Sequence, residues 1–166
     1  PGWEVANINH TNYGTKSIAD AFAVSSNTAF ARLILSIGPD KVVDVAKRMG
    51  ITSPLTATGS LTLGSESVTP LEMANAYATI ANGGTHYDPE CVERIVDRNG
   101  SIVVDNSAPK GERAISAEVA HAATEVMKGV ITKGAGKAAA LSNGQVSAGK
   151  TGTSENYMDS WFCGIT

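Results

Sequence analysis

Apolar residues recur at helical spacing in several stretches of the chain, and polar punctuation separates them. Ile18, Ala19, Phe22 and Ala23 supply one face, which Thr15 can cap, and the pattern breaks at Val24-Ser25-Ser26-Asn27. A second stripe of Ala29, Phe30, Leu33, Ile34 and Ile37 runs to Gly38, a suitable helix stop. The small polar residues at 25–27 therefore read as a turn between two buried helices. Pro39 opens a third helix carrying Val42, Val43, Val45, Ala46 and Met49, with Gly50 behind it. Thr69-Pro70-Leu71-Glu72 has the spacing of a capping box with proline at the first helical position, and a helix through Met73, Ala76, Tyr77 and Ile80 follows to Gly83-Gly84. Ser116 caps a last helix with Val119, Ala120, Ala123, Val126, Met127 and Val130 on one face, ending near Gly134. Gly134-Ala135-Gly136 reads as a hinge before a short alanine-rich turn.

Elsewhere the period drops to two. Val92 to Val96 and Ile102 to Val104 are short β-type runs joined through Arg98-Asn99-Gly100-Ser101, an Asn-Gly hairpin signal at the periphery. From Val146 the chain alternates through Val146, Ala148, Lys150 and Gly152, and after a polar loop Trp161 to Ile165 reads as the partner strand, with Trp161 and Phe162 as core residues. Residues 1–14 and 51–68 read as mostly irregular. The expectation is an α+β fold in which a helical subdomain packs on part of an antiparallel sheet.

At 166 residues, 42% of them hydrophobic and 17% charged, the chain has the make-up of one folded domain or a large piece of one. A net charge of −3 with scattered Lys and Arg argues against a nucleic-acid partner. No apolar run reaches the roughly 20 residues of a membrane span. Cys91 and Cys163 share no metal-ligand spacing with His10, His86 or His121, so they read as isolated buried thiols, with no metal or other cofactor expected. Glu66 and Glu72 could be paired as acid and base, but the capping box explains Glu72 better.

The stretch from Gly144 to Thr153 admits two readings. Gly144 to Thr151 matches G-x-x-x-x-G-K-T, the phosphate-cradling loop, while Lys150-Thr151-Gly152 is a K-T-G triplet of the kind found on the cleft strand of serine acyl-transfer enzymes. A phosphate loop needs a buried strand before the glycine and a helix after the Lys-Thr pair. Ala139 to Asn143 is too short and polar for the first, and Gly152-Thr153-Ser154-Glu155-Asn156-Tyr157 is poor material for the second. On a strand beside a cleft, Lys150 instead projects a cation, Gly152 lets a ligand backbone lie close, and Thr151 and Thr153 offer hydroxyls to a carboxylate.

Upstream, Ser25-Ser26-Asn27 is an S-x-N triplet. With Ala21 to Phe30, Thr69 to Ala78, Ala81 to Gly84, Gly149 to Thr153 and Asp159 to Phe162, the chain resembles the transpeptidase domain of penicillin-binding proteins, most closely the class A bifunctional branch. These segments occur in family order along nearly the whole chain. The resemblance implies the DD-transpeptidase/β-lactamase-like fold and acyl transfer from a serine in S-x-x-K, deprotonated by its own lysine, that attacks the penultimate D-Ala carbonyl of a peptidoglycan stem peptide. It also implies roles residue by residue. Ser25 relays a proton to the leaving amine, Asn27 hydrogen-bonds the substrate amide, and Lys150 supplies positive potential. Thr151 and Thr153 hold the terminal carboxylate, Gly152 lies close to the substrate backbone, and the Thr153 N–H is one oxyanion donor.

The nucleophile itself is the gap. The S-x-x-K spacing occurs at Ser107-Ala108-Pro109-Lys110, after S-x-N and in a Pro- and Gly-flanked loop, where serine and lysine cannot share a helix face. The expected motif would lie N-terminal to Pro1, and the last strand and helix of the fold beyond Thr166. Gly134-Ala135-Gly136 stands where the family usually has G-T-G. The partners implied are the stem peptide, β-lactams and the rest of a parent chain. The site implied is the outer face of a bacterial cell membrane, reached through an anchor outside this sequence.

Overall fold

Among the described residues, hydroxyl side chains start four of the five α-helices, each accepting a hydrogen bond from a first-turn backbone N–H: Ser17 for α1 (Ile18–Ala23), Ser26 for α2 (Asn27–Ile37), Thr69 for α4 (Pro70–Ala81) and Ser116 for α5 (Ala117–Thr132). The remaining one, α3 (Pro39–Arg48), begins at a proline directly after Gly38, whose φ of 95° also ends α2. These assignments come from a computed structural model that describes residues 3–154 and 158–166. Pro1-Gly2 and Glu155-Asn156-Tyr157, part of the expected polar loop, lie outside the described residues.

The core forms around α5. Val130 is fully buried, Ala120, Met127 and Ile131 nearly so, and this face packs on α1 on one side and on the C-terminal strand pair on the other. Each large apolar side chain buried there contributes about 1.5–3 kcal/mol. Ala21 and Ala23 of α1 are buried against it because they are small enough for the two helices to approach closely. The loop after α5 then closes onto α1: the Ala135 N–H donates to the Ala23 carbonyl at 2.9 Å, and a Cβ at Gly134 would stand 2.1 Å from that same oxygen. Only glycine fits at such a backbone-on-backbone approach. What reads in sequence as a hinge is thus a clamp.

Among the described residues, three two-stranded antiparallel ladders accompany the helices. β1 (Thr85–His86) pairs with β4 (Glu112–Arg113), β2 (Arg94–Val96) with β3 (Ile102–Asp105), and β5 (Ala148–Thr153) with β6 (Ser160–Ile165). The β2–β3 hairpin is exposed, as its position in the sequence suggests. The β1–β4 pair was not expected from sequence, because two residues are too few for alternation to register. The α+β expectation agrees with this architecture.

Four local expectations need correction. Ser17 rather than Thr15 caps α1, since its hydroxyl is placed to accept from Asp20 N–H at 3.1 Å. Asn27 is the first residue of α2 instead of part of the turn, because Ser26 serves as cap. Cys91 is exposed beside the peripheral hairpin, and only Cys163 is half-buried. Phe162 is 46% exposed: the pleat turns Trp161, Cys163 and Ile165 toward one face of β6 and lays the Phe162 ring on the other, over Gly149 and Gly164.

Candidate active site

The S-x-N turn is a helix ending with the wrong residue in it. Ser26 N–H donates to Ala21 O at 2.9 Å and Ser25 N–H to Phe22 O at 3.0 Å, the paired bonds of a Schellman motif closing α1. That motif places its penultimate residue in the left-handed region, where glycine is usual. Here it is Ser25, at φ 57°. A non-glycine residue held there costs about 1–3 kcal/mol and persists only where the surroundings over-determine it. The strained backbone aims the side chain toward β5, and the Ser25 hydroxyl meets a residue 125 positions away.

That residue is Lys150. Its Nζ donates to Ser25 Oγ at 2.8 Å and to the Thr151 carbonyl at 2.8 Å, and it stands 5.7 Å from the centre of the Phe22 ring. Two of its three N–H donors are thereby used, which leaves the third for an anionic ligand. Because Ser25 Oγ accepts from a cation, its own proton remains available to donate. Burial lowers the Lys150 pKa from its ordinary value, the desolvation of a charged group. Phe22 was not singled out in sequence except as an apolar helix position. It packs edge-on against Phe30 at 5.5 Å, so the rings of α1 and α2 form the wall behind the lysine.

Asn27 lies two residues beyond Ser25, and its Nδ2 donates to the Ala6 carbonyl at 2.9 Å. Its amide oxygen remains to accept. Thr151, Gly152 and Thr153 continue β5 past Lys150, paired with Phe162, Trp161 and Ser160. Among the described residues β5 is hydrogen-bonded along one edge only, so its other edge presents backbone donors and acceptors to an added strand. The fold thus brings Ser25 and Lys150 into contact, sets Asn27 beside the first, and strings Thr151, Gly152 and Thr153 along the strand that carries the second.

The same strand removes the phosphate-loop reading. Thr151 to Thr153 are extended, where a phosphate loop would begin a helix, and Gly144 sits in an isolated turn at φ 78°. Ser107 is excluded as an S-x-x-K nucleophile on similar grounds, since it is tied into a local turn by donating to Asp105 Oδ1 and residues 106–111 form no helix. Glu72 is fully engaged elsewhere: its carboxylate accepts from Thr69 N–H, Thr52 N–H and hydroxyl, and Ser53 N–H and hydroxyl. These donors, the Thr69 N–H foremost, hold it well below the usual carboxylate range.

The family profile described as the penicillin-binding protein transpeptidase domain matches residues 1–166. The chain belongs to this transpeptidase family. Penicillin-binding protein 1A of Aquifex aeolicus is 32% identical over 164 residues, covering 99% of this chain and 22% of that protein. Penicillin-binding protein 1A of Rickettsia typhi is 34% identical over 188 residues, covering 100% and 24%. The chain therefore spans about a quarter of the length of the curated relatives it matches. Among solved structures, PonA1 of Mycobacterium tuberculosis in complex with penicillin V superposes with a TM-score of 0.85 at 30% identity, over 98% of this chain and 48% of that one. Penicillin-binding protein 1A of Haemophilus influenzae gives 0.88 at 25% identity, over 98% and 30%. This transpeptidase chain shares their α+β architecture. Among the described residues no helix is long and apolar enough to cross a membrane.

Proposed function

We propose that this chain forms one wall of the cleft of a serine D,D-transpeptidase that cross-links peptidoglycan stem peptides and is acylated by β-lactams. The observation that carries the reading is the 2.8 Å contact between Lys150 Nζ and Ser25 Oγ, which joins the K-T-G and S-x-N triplets at one point. The nucleophile is a serine in an S-x-x-K segment outside these residues. Its oxygen, after giving its proton to the neighbouring lysine, adds to the penultimate D-Ala carbonyl, and the tetrahedral oxyanion faces the N–H of Thr153 and that of the serine itself. Collapse breaks the peptide bond and leaves an acyl-enzyme. The departing D-Ala amine takes the Ser25 proton, and Ser25 regains one through the lysines. A second stem-peptide amine then attacks the ester, releasing the serine and completing the cross-link.

The wall's parts suit these tasks. A strand-like substrate would add along the free edge of β5, with its carboxylate on the Thr151 and Thr153 hydroxyls and in the field of Lys150. Asn27 Oδ1 would accept from the substrate amide. Removal of one oxyanion donor in such a site costs on the order of 10²–10³ in rate. In this reading the parent protein works on the outer face of a bacterial membrane, where its substrate is found, and residues 1–166 form part of one transpeptidase domain. The alternative is a non-catalytic wall that holds a peptide carboxylate and nothing more.

Labelling with a fluorescent penicillin separates the two. The isolated chain is expected to take no covalent label, and the chain joined to its S-x-x-K segment is expected to take one equivalent, slowed at least about a hundredfold by Ser25→Ala or Lys150→Ala. Covalent label on the isolated chain would place a nucleophile within these residues and overturn the assignment. Failure of the joined protein to label would leave the carboxylate-binding alternative.

A further inference from the structure

The S-x-N turn is held from outside by a single side-chain oxygen that none of the motifs contains. Asn7 Oδ1 accepts from the Ser26 hydroxyl at 3.2 Å, from the Thr28 backbone N–H at 3.1 Å and from the Thr28 hydroxyl at 3.3 Å. The neighbouring Ala6 carbonyl accepts from Asn27 Nδ2 at 2.9 Å. Asn7 itself is fixed from behind, its Nδ2 donating to the Thr11 carbonyl at 2.9 Å. Residues 6–7 therefore touch every position from 26 to 28, although they lie about twenty residues upstream in a stretch that reads as irregular surface chain.

Those contacts answer a need that the turn creates. Ser25 sits at a positive φ that serine adopts only under constraint, and its N–H is already fixed by the end of α1. Its following side must be fixed too, or the backbone relaxes and carries Oγ away from Lys150. Ser26, 5% exposed, uses its hydroxyl oxygen to cap α2 by accepting from Ala29 N–H, so the hydroxyl proton needs an acceptor inside the fold. Thr28 N–H is one of the first-turn donors of α2 that no helical carbonyl can reach. Asn7 Oδ1 satisfies both with the same atom.

We infer that Asn7 is a positioning residue for the acyl-transfer site, acting through Ser26 and Thr28 to hold Ser25 Oγ on Lys150 and Asn27 at the substrate amide. The inference rests on the transpeptidase reading above. Its chemical content is an acceptor requirement: Asn7→Asp keeps an oxygen acceptor at this place, and a carboxylate suits the start of α2, whereas Asn7→Leu keeps the size and removes the acceptor.

The test measures the penicillin acylation rate constant and the labelling stoichiometry separately, in the protein that carries this chain together with its S-x-x-K segment. Asn7→Leu is expected to lower the rate constant about 10- to 100-fold at full stoichiometry, the scale on which misplacing a group away from the chemistry acts. Asn7→Asp keeps the acceptor but sets a second oxygen against the Thr11 carbonyl in place of the Nδ2 donor, so it is expected to acylate more slowly than the parent yet at least about threefold faster than Asn7→Leu. A purely structural role would instead reduce the fraction of protein that labels and leave the rate constant of that fraction unchanged. That outcome overturns the inference, as does an Asn7→Asp variant as slow as Asn7→Leu. Should Asn7→Leu fold poorly, Thr28→Val removes one of the three donors without a hole, and it is expected to slow acylation severalfold at full stoichiometry; an unchanged rate there overturns the inference as well. If the parent protein itself takes no label, the transpeptidase reading fails first.

Discussion

Two glycines near the end of α5 face the same neighbour, Ala23, and should respond to alanine in opposite ways. At Gly134 a Cβ would lie 2.1 Å from the Ala23 oxygen, 2.7 Å from its carbonyl carbon and 2.9 Å from Val130 Cα, all backbone atoms that cannot swing aside. Accommodating it must push the loop off α1 and stretch the 2.9 Å bond from Ala135 N–H to Ala23 O. Overpacking of this kind costs roughly 1–3 kcal/mol and the weakened hydrogen bond roughly 1, so Gly134→Ala should destabilise by about 2–4 kcal/mol. For a chain of this size that corresponds to a fall in Tm of about 4–16 °C. At Gly129 the nearest atoms to a Cβ are Lys133 Cε at 3.6 Å and Ala23 Cβ at 3.8 Å, ordinary contact distances. There, inside α5, alanine should gain roughly 0.5–1 kcal/mol from helix propensity. Thermal melts of the parent and both variants in one buffer provide the measurement. If the two alanine variants melt together, or Gly129→Ala melts below Gly134→Ala, the close approach of the post-α5 loop to α1 is wrong, and with it the account of how the end of α1 is fixed beside Ser25.

The titrating groups give two further predictions. Glu72 has a folded-state pKa below its unfolded value, so its contribution is present above the unfolded carboxylate range, about pH 4.3, and is lost as pH falls toward the folded value. The gap in Tm between the parent and Glu72→Gln should be widest near neutrality and close below about pH 4; a gap that persists unchanged into acid would refute a role for the charged carboxylate. Lys150 is also lowered, by burial, so the positive potential at the cleft should be lost on the alkaline side at a pH below the ordinary lysine range. The acylation profile of the S-x-x-K-bearing protein should fall there, while Lys150→Arg, slower at neutral pH, should lack that limb because arginine stays charged. An alkaline limb that survives Lys150→Arg would assign it to another group.

Local signals reach only a few positions along this chain, and the elements divide accordingly. Helices with hydroxyl caps and periodic apolar faces were legible because their signals are local: Thr69 with Glu72 is a capping box in sequence and in space, and Ser116 starts α5 where its spacing puts it. The Asn-Gly hairpin and the final strand pair were legible for the same reason, through period-two runs on either side of a turn. The family was legible from the order of several short segments, which no single triplet could have supplied.

What sequence could not supply were relations between residues far apart in the chain. The Lys150–Ser25 contact spans 125 positions, the clamp of Gly134 and Ala135 on Ala23 over a hundred, and the Asn7 bonds to the S-x-N turn about twenty. The capping residue of α1 also had to be seen, since Thr15 and Ser17 offer the same chemistry and only backbone geometry chooses between them. Phe162 shows the converse: an aromatic in an apolar run predicts burial, yet which face of β6 is covered depends on what packs there. Sequence alone determined the five α-helices, the Asn-Gly hairpin, the final strand pair and the K-T-G and S-x-N triplets, because caps, periodicity and turn residues act over a few positions. Tertiary structure decided that Lys150 meets a strained Ser25, because that contact depends on α1, α5 and β5 packing together, and packing is a property of the whole chain.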